Sequence, residues 1–202
     1  MQGIADMVMA KNSHWRISVC YGGIEMDYIY RYRSPLGAIT LASNGRELTG
    51  LWFDGQKYDR HTLTAGYREK TLSVFDETKR WLDCYFKGEA PDFTPPLALD
   101  SSPFRIEVWG ILKKIPYGKT MTYGQIAKEL AEWHGLSRMS AQAVGGAVGH
   151  NPISLIIPCH RVVGSNGSLT GYAGGIDRKV ALLKLEQADM KALFIPKGGT
   201  AL

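Results

Sequence analysis

The chain has 202 residues, 45% of them hydrophobic and 21% charged, which suits one globular domain or two small ones. It has no apolar run near the roughly 20 residues that a membrane span needs, and its first residues lack the pattern of a signal peptide. Three cysteines cannot all pair, and the spacing of the cysteines and five histidines is not typical of a zinc cluster. We therefore expect a cytoplasmic protein with reduced thiols, without a membrane segment and without a metal.

The formal net charge of +5 is unevenly distributed along the chain. Residues 1–100 carry 12 Lys and Arg against 13 Asp and Glu, whereas residues 101–202 carry 12 against 6. A positive second half is typical of a domain that binds phosphates, although a basic surface kept for solubility would have the same charge. The basic residues form no dense run, which favours a shaped groove-binding element over a basic tail.

The first half of the chain predicts a small α/β domain over residues 26–98, preceded by an N-terminal extension of unclear role, residues 1–25. Short apolar runs separated by turn residues predict three strands, at residues 28–32, 38–42 and 48–53. An amphipathic pattern over residues 73–86 predicts one helix packed on that sheet. Four prolines in residues 88–103 exclude a long helix and predict the linker to a second domain.

The second predicted domain, residues 99–190, is mainly helical. After a helix over residues 104–114, Thr122 and Gln125 predict a capping box, and Ser140 predicts the cap of a further helix. Two helices across a short glycine-containing connection are typical of a helix-turn-helix. The second of them is almost entirely Ala, Gly and Val, so it can approach another surface closely. Close packing inside the core is the alternative interpretation.

The end of the predicted domain contains a turn, a loop and a helix. Asn166-Gly167 predicts a tight, wing-like hairpin, and a glycine-rich loop follows at residues 170–175. Asp177 is the predicted cap of a helix that ends at Glu186. Residues 191–202 are predicted to form a C-terminal tail.

Residues 155–164 are the most informative segment of the chain, because Cys159, His160 and Arg161 lie there between branched apolar residues. The apolar flanks predict a buried strand, and Pro158 places Cys159 at its edge or at a turn. Neighbouring side chains of an extended chain point to opposite faces, so thiol and imidazole need a bridging water or a local turn to communicate. Glu186 is the candidate carboxylate that orients His160, and proton transfer to His160 would raise the thiolate fraction. A purely structural, buried cysteine is the alternative.

Pro158-Cys159-His160-Arg161-Val162 resembles the signature of the O6-alkylguanine-DNA alkyltransferases, or methylated-DNA–protein-cysteine methyltransferases. Other motifs agree with this family in order and spacing: SPLG at 34–37, AVGGA at 143–147, NP at 151–152, GYAGG at 171–175 and LLKLE at 182–186. The resemblance implies an α/β N-terminal domain, a small sheet plus a helix, followed by a mainly α domain with the helix-turn-helix.

The resemblance also implies a function. A monomer would bind double-stranded DNA containing O6-alkylguanine and flip the damaged base into a pocket. It would transfer the alkyl group irreversibly from O6, with O4 of thymine as an alternative, to its own Cys159. The product is a thioether, so each molecule acts once, and no cofactor is needed.

The family's roles carry over to particular residues here. The chemistry is assigned to Cys159, His160, Glu186 and Tyr123, whose hydroxyl would donate to the base. Substrate binding is assigned to Tyr172, the Ala173 N–H facing O6, the Val162 carbonyl facing the exocyclic amine beside that of Cys159, and Asn151, which would brace the turn into the site.

DNA contact is assigned to Ala141 and Gln142 on the recognition helix and to Arg161, which is either structural or phosphate-facing. Two positions depart from many relatives. Gln142 stands where they have an arginine that fills the gap left by the flipped base. Ser154 stands where some have a proline in the pocket wall, which predicts a looser selectivity for larger alkyl groups.

Two other classes of function remain open. A DNA-binding protein without activity, such as a lesion-recognition relative or a transcriptional regulator, is disfavoured because lesion-recognition relatives lack the reactive cysteine. A thiol hydrolase is disfavoured because Cys159 and His160 are adjacent in sequence, and multiple turnover on an ester would support it.

Overall fold

A four-stranded sheet forms the first half of the protein in a computed structural model that describes residues 26–64 and 66–196. The predicted extension, residues 1–25, lies outside the described residues, and so does Cys20. The sheet has the order β3-β2-β1-β4, with β1–β2 and β2–β3 antiparallel and β4 parallel to β1. The strands are β1 Tyr28–Ser34, β2 Gly37–Ser43, β3 Leu48–Phe53 and β4 Arg68–Glu69.

Helix α1, Ser73–Phe86, packs on β1 and β2. Its bounds are those that the amphipathic pattern predicts. Its buried side chains include Val74, Phe75, Leu82 and Tyr85, which repeat at the helical period and form one apolar face. The sheet with one covering helix is thus confirmed.

Four further helices make up most of the second half: α2 Pro103–Lys114, α3 Tyr123–Trp133, α4 Ala141–Gly149 and α5 Ile176–Leu185. The capping box at α3 is present, since the Gln125 N–H donates to the Thr122 hydroxyl over 3.1 Å and the Thr122 N–H donates to the Gln125 amide oxygen over 2.7 Å. Ser140 caps α4 by accepting from the Ala143 N–H. Gly135, with φ of +64°, ends α3 and lets the chain turn into the second helix of the helix-turn-helix. None of the helices in the described ranges is long and apolar enough to cross a membrane.

The two halves share one continuous core. A single cluster of buried apolar residues includes Phe75 and Leu82 from α1 and Trp109 and Ile157 from the second half. The Leu51 N–H of β3 donates to Pro152 O, and the Ser154 N–H donates back to Leu51 O, each over 2.9 Å. The edge of the sheet therefore holds the segment that leads to Cys159. The domain boundary at residues 98 and 99 stays a prediction.

The buried strand predicted from the apolar flanks of Cys159 is wrong for residues 155–157 and is confirmed for residues 162–163. Leu155 has φ of +70°, in the left-handed region, and Pro158 has no N–H to contribute to a ladder. The chain turns instead into a 3-10 helix, Cys159–Arg161, followed by the short strand β6, Val162–Val163. β6 pairs in parallel with β5, Met121–Thr122, directly before α3. The expectation that Cys159 lies at a turn is confirmed.

Two local features near the end of the chain differ from prediction. The turn at Asn166-Gly167 is closed by a hydrogen bond from the Gly164 N–H to Ser168 O over 2.8 Å, but Ser168 then pairs with Phe194 of the predicted tail and not with β6. Helix α5 begins at Ile176, so Asp177 lies within its first turn and is not its cap. A carboxylate in that turn still stabilises the helix through its dipole.

Candidate active site

Cys159 is the first residue of the 3-10 helix, and only 4% of its surface is exposed. The Asn151 side-chain amide donates to Cys159 Sγ over 3.2 Å and to Ile157 O over 2.7 Å. Its oxygen accepts from the Ile153 N–H over 3.0 Å. Asn151 therefore fixes the turn and the thiol together, as the predicted brace would.

The electrostatics of the resting site keep Cys159 protonated. Burial raises the pKa of its thiol, and the Asn151 hydrogen bond and the charge of Lys179 offset only part of that effect. The direction is opposite to the predicted gain in thiolate through His160. A buried thiol that is neutral at rest must lose its proton when a substrate is bound.

His160 and Glu186 form a fully buried pair, with His160 Nε2 2.7 Å from Glu186 Oε1. A neutral imidazole that donates from Nε2 to a carboxylate has its lone pair on Nδ1. His160 Nδ1 is buried and has no hydrogen-bond partner among the described residues. Burial lowers the pKa of His160, and the opposing effect of Glu186 does not restore it. The imidazole is thus a neutral base with its acceptor atom available.

Glu186 is the most heavily hydrogen-bonded side chain of the site. Oε1 accepts from His160, from the Tyr85 hydroxyl over 2.7 Å and from Arg161 Nη2 over 2.9 Å. Oε2 accepts from Arg161 Nε over 2.8 Å and from the Gly118 N–H over 3.1 Å. Burial alone would raise the pKa of this carboxyl, but His160 and Arg161 outweigh burial and hold it well below its usual range. Glu186 therefore stays ionised.

Arg161 is structural. Its guanidinium forms a bidentate contact with the Glu186 carboxylate through Nε and Nη2, and its Nη1 donates to Ile115 O over 2.6 Å. The residue is 8% exposed. Because Nε, Nη1 and Nη2 all point to buried acceptors, the assignment of Arg161 to DNA contact is corrected to its structural alternative.

Tyr123 and the glycine-rich loop contact each other within the site. Tyr123 is the first residue of α3, and its hydroxyl lies 3.3 Å from Gly171 O. Burial raises the pKa of Tyr123 to about 12, with the charge of a Cys159 thiolate adding to it, so the hydroxyl is a donor at neutral pH. The Tyr172 hydroxyl is buried without a hydrogen-bond partner in the described part of the chain. Gly174 is required there, because a Cβ would lie 2.6 Å from the Tyr172 ring.

Ala173 ties that loop to the first half of the chain. Its carbonyl accepts from the Lys57 N–H over 3.0 Å. The segment after β3 therefore holds the loop through the Ala173 carbonyl. The family resemblance assigns the other backbone group of this residue, the Ala173 N–H, to O6.

Lys179 is a site residue that the sequence analysis missed. It lies on α5, has no exposed surface, and donates from Nζ to Val162 O over 2.6 Å and to Thr170 O over 3.1 Å. Burial lowers its pKa to about 8, and a Cys159 thiolate opposes that shift. Its spacing of three and four residues from Leu182 and Leu183 puts Lys179 on the buried face of α5. This helical spacing is the sequence pattern that could have predicted its burial. The Val162 carbonyl, which the family resemblance assigns to the exocyclic amine, thus already accepts a hydrogen bond from the Lys179 ammonium.

Helix α4 has an exposed and a buried side. Ala141 and Gln142 are exposed at its N-terminal end, whereas Val144, Ala147 and Val148 are buried. The Trp109 indole of α2 donates to Ala147 O over 2.9 Å and holds the helix on the core. The small residues thus serve close packing on one side and leave the first turn accessible on the other.

Comparison with known proteins decides the family. Residues 28–99 match the family model described as the 6-O-methylguanine DNA methyltransferase ribonuclease-like domain, and residues 103–188 match its DNA binding domain. A methylated-DNA–protein-cysteine methyltransferase of Mycobacterium tuberculosis is 43% identical over 155 residues, which are 77% of this chain and 89% of the relative. One of Methanosarcina acetivorans is 42% identical over 159 residues, 79% of this chain and 97% of the relative.

The chain belongs to the methylated-DNA–protein-cysteine methyltransferase family.

A solved member of this methyltransferase family has the same fold. The crystal structure of Mycobacterium tuberculosis OGT in complex with DNA superposes with a TM-score of 0.68, at 41% identity, covering 80% of this chain and 92% of that one. The resemblance and the fold class predicted from the sequence are thereby confirmed. Cys159, His160 and Glu186 all lie within the residues matched by the methyltransferase DNA binding domain.

Proposed function

We propose that this protein repairs double-stranded DNA by transferring an alkyl group from O6 of guanine to Cys159 Sγ, with methyl as the main group transferred. The observation that carries the proposal is the buried His160–Glu186 pair beside a buried thiol, in a chain of the methyltransferase family. O4 of thymine presents a similar alkyl ether and is the second substrate. The protein acts as a monomer in the cytoplasm.

The transfer is a single displacement. The bond from Sγ to the alkyl carbon forms while the bond from that carbon to O6 breaks, and the guanine leaves with the electron pair. The thiol proton passes to His160 Nδ1 through a bridging water molecule and is then transferred to the released guanine anion, which becomes neutral, so charge and protons balance. Ionised Glu186 stabilises the imidazolium that exists between these two steps.

Groups around the base neutralise the charge that grows on the departing guanine. The Tyr123 hydroxyl, which remains protonated at neutral pH, donates to the base, and the Ala173 N–H donates to O6. The carbonyls of Cys159 and Val162 accept from the exocyclic amine, and the Tyr172 ring forms part of the pocket wall. Val162 can accept a second hydrogen bond besides that of Lys179, because a carbonyl oxygen has two lone pairs.

The base must leave the duplex to react. A thiol that is 4% exposed cannot reach an atom inside the stack, and extrusion of a nucleotide costs a few kcal/mol, less for a weakly paired lesion. The exposed first turn of α4 enters the groove, where Ala141 lies against the DNA and Gln142 fills the place of the flipped base. The excess of basic residues after residue 100 supports phosphate contact around this helix.

Each protein molecule reacts only once, because the alkylated Cys159 is not regenerated. Hydrolysis of the thioether carbon–sulfur bond would need a far stronger activation than His160 provides. The proposal therefore requires neither a cofactor nor a second substrate.

Intact-mass measurement after incubation with a duplex carrying O6-methylguanine tests the proposal. We expect the protein to gain one methyl group and the DNA to lose it, with unmodified duplex as the control. Binding without a mass change would favour a lesion-recognition protein. Repeated turnover of an ester would favour a thiol hydrolase.

A further inference from the structure

Tyr85 brings a side chain from α1, in the first half of the chain, into the active site. It has no exposed surface, and its hydroxyl lies 2.7 Å from Glu186 Oε1 and 3.3 Å from His160 Nε2. We infer that Tyr85 is a positioning residue for alkyl transfer, whose hydroxyl holds Glu186 and fixes the proton of His160 on Nε2. The inference rests on the proposed function, because it assigns the control of that same base.

The geometry assigns each hydrogen of the contact. The hydroxyl donates to Oε1, since an ionised carboxylate only accepts. The tyrosine oxygen then faces the His160 N–H as a second acceptor beside Oε1. Two oxygens directed at Nε2 favour the tautomer with its proton there, which leaves Nδ1 as the base.

The hydroxyl also tunes the strength of that base. A carboxylate that accepts fewer hydrogen bonds attracts the imidazole proton more strongly and stabilises the imidazolium. Tyr85 thus keeps His160 neutral at a lower pH than Glu186 alone would allow. Burial and the neighbouring Glu186 raise the pKa of Tyr85 well above its usual value, so its hydroxyl stays protonated and remains a donor throughout the reaction.

The ring of Tyr85 has a separate packing role. It stacks on Trp81, with ring centroids 5.2 Å apart, and meets Tyr117 edge-on at 6.0 Å. The substitution Tyr85→Phe keeps these contacts and removes the hydroxyl alone. Glu186 Oε1 retains donors from His160 and Arg161, so the variant leaves no buried acceptor without a partner.

The test compares Tyr85→Phe with the matched control Tyr117→Phe. Tyr117 touches the same cluster, but its hydroxyl donates over 3.4 Å to Leu185 O and not to Glu186. Single-turnover rates of methyl transfer are measured across pH with duplex DNA and with free O6-alkylguanine base, together with DNA affinity and Tm. Histidine ¹⁵N shifts report the tautomer independently of activity.

We expect Tyr85→Phe to slow transfer to both substrates about three- to tenfold near neutral pH, the net effect typical of one intramolecular hydrogen bond. The rise of the rate with pH should move to higher pH, and the ¹⁵N shifts of His160 should change. DNA affinity should not change, and Tyr117→Phe should behave as wild type in every measurement.

Three outcomes would overturn the inference: a wild-type rate and pH profile in Tyr85→Phe, an unchanged His160 spectrum, or a pH-independent loss of rate that follows a lower Tm. The last would assign the residue to packing. Failure of the wild-type protein to take up a methyl group would contradict the proposed function instead. The ¹⁵N spectra would then still decide whether Tyr85 holds the tautomer.

Discussion

The side-chain amide of Asn151 lies 3.2 Å from the sulfur of Cys159, and Asn151 is the second residue after helix α4 ends. One side chain thus joins the end of α4 to the Cys159 thiol. Its hydrogen bond lowers the pKa of Cys159 against the effect of burial. The proposed groove contact of α4 and the proposed chemistry of the thiol are therefore linked through Asn151.

Asn151→Ala should damage both stability and reactivity. The Ile153 N–H loses its partner inside the protein and Ile157 O keeps only the Cys159 N–H, which costs about 1–3 kcal/mol of unfolding free energy. The pKa of Cys159 should rise, so alkyl transfer should begin at a higher pH. Denaturant unfolding and rate–pH profiles measure the two effects. A destabilised variant with an unshifted profile would show that the contact with sulfur has no chemical role.

Cys159→Ala should abolish transfer while leaving DNA binding intact. Peptide mapping of the wild-type protein should find the methyl group on Cys159 and not on Cys20 or Cys84. Burial and Glu89 raise the pKa of Cys84, which makes it a poor competitor. Uptake of a methyl group by Cys159→Ala would falsify the assignment of the nucleophile.

The amount of repaired DNA should equal the amount of active protein. A burst followed by no further release is expected, because the thioether product is stable under the conditions of repair. Quantifying unrepaired duplex against titrated protein measures the ratio. Continued release over several equivalents would reveal a regeneration step.

Glu186→Gln should slow transfer, because the imidazolium that accepts the thiol proton loses its counter-charge, and should lower stability, while DNA affinity changes little. Loss of the carboxylate leaves buried Arg161 without its counter-charge, which typically costs about 3–5 kcal/mol. Because the folded pKa of Glu186 is depressed, its contribution is complete above the unfolded value of about 4.3 and is lost as pH falls toward the folded pKa.

Unfolding free energies of wild type and Glu186→Gln, measured between neutral and acidic pH, test this prediction. The difference between the two proteins should shrink as the pH falls below about 4.3. Glu132→Gln, at an exposed carboxylate, is the control and should match wild type. A folded Glu186→Gln with the wild-type rate–pH profile would remove Glu186 from the mechanism.

Gln142→Arg should tighten DNA binding and steepen its salt dependence by up to about one unit of slope, because it adds a cation near phosphates. Reaction with free O6-alkylguanine base should stay the same, since no base needs to be flipped. Gln142→Ala should reduce the duplex reaction more than the free-base reaction. Equal responses of the two substrates would place Gln142 outside the DNA stack.

Local signals predicted much of the fold. The amphipathic period gave the bounds of α1, and hydroxyl side chains located the starts of α3 and α4 through Thr122 and Ser140. These features depend on residues within one turn of each other. The strand expected at residues 155–157 was wrong because an apolar run does not reveal that Leu155 adopts a left-handed conformation.

The sequence also predicted the contact between His160 and Glu186, from the need of the imidazole for an orienting carboxylate, the position of Glu186 at a helix end and the family resemblance. Arg161, Lys179 and Tyr85 could not be placed in this way. Their roles depend on partners far along the chain, such as Tyr85 and Glu186, whose positions differ by 101. No periodicity or spacing rule encodes such a contact.

The bridge between Leu51 and Ile153 has a consequence for biosynthesis. The contact closes a loop of about 100 residues, and Glu186 joins the site from still later in the chain. While a ribosome is still making α5, Cys159 has neither its oriented histidine nor its complete enclosure. The thiol therefore gains its competence only after residue 186 has been translated, so a nascent chain that ends before α5 lacks the complete site.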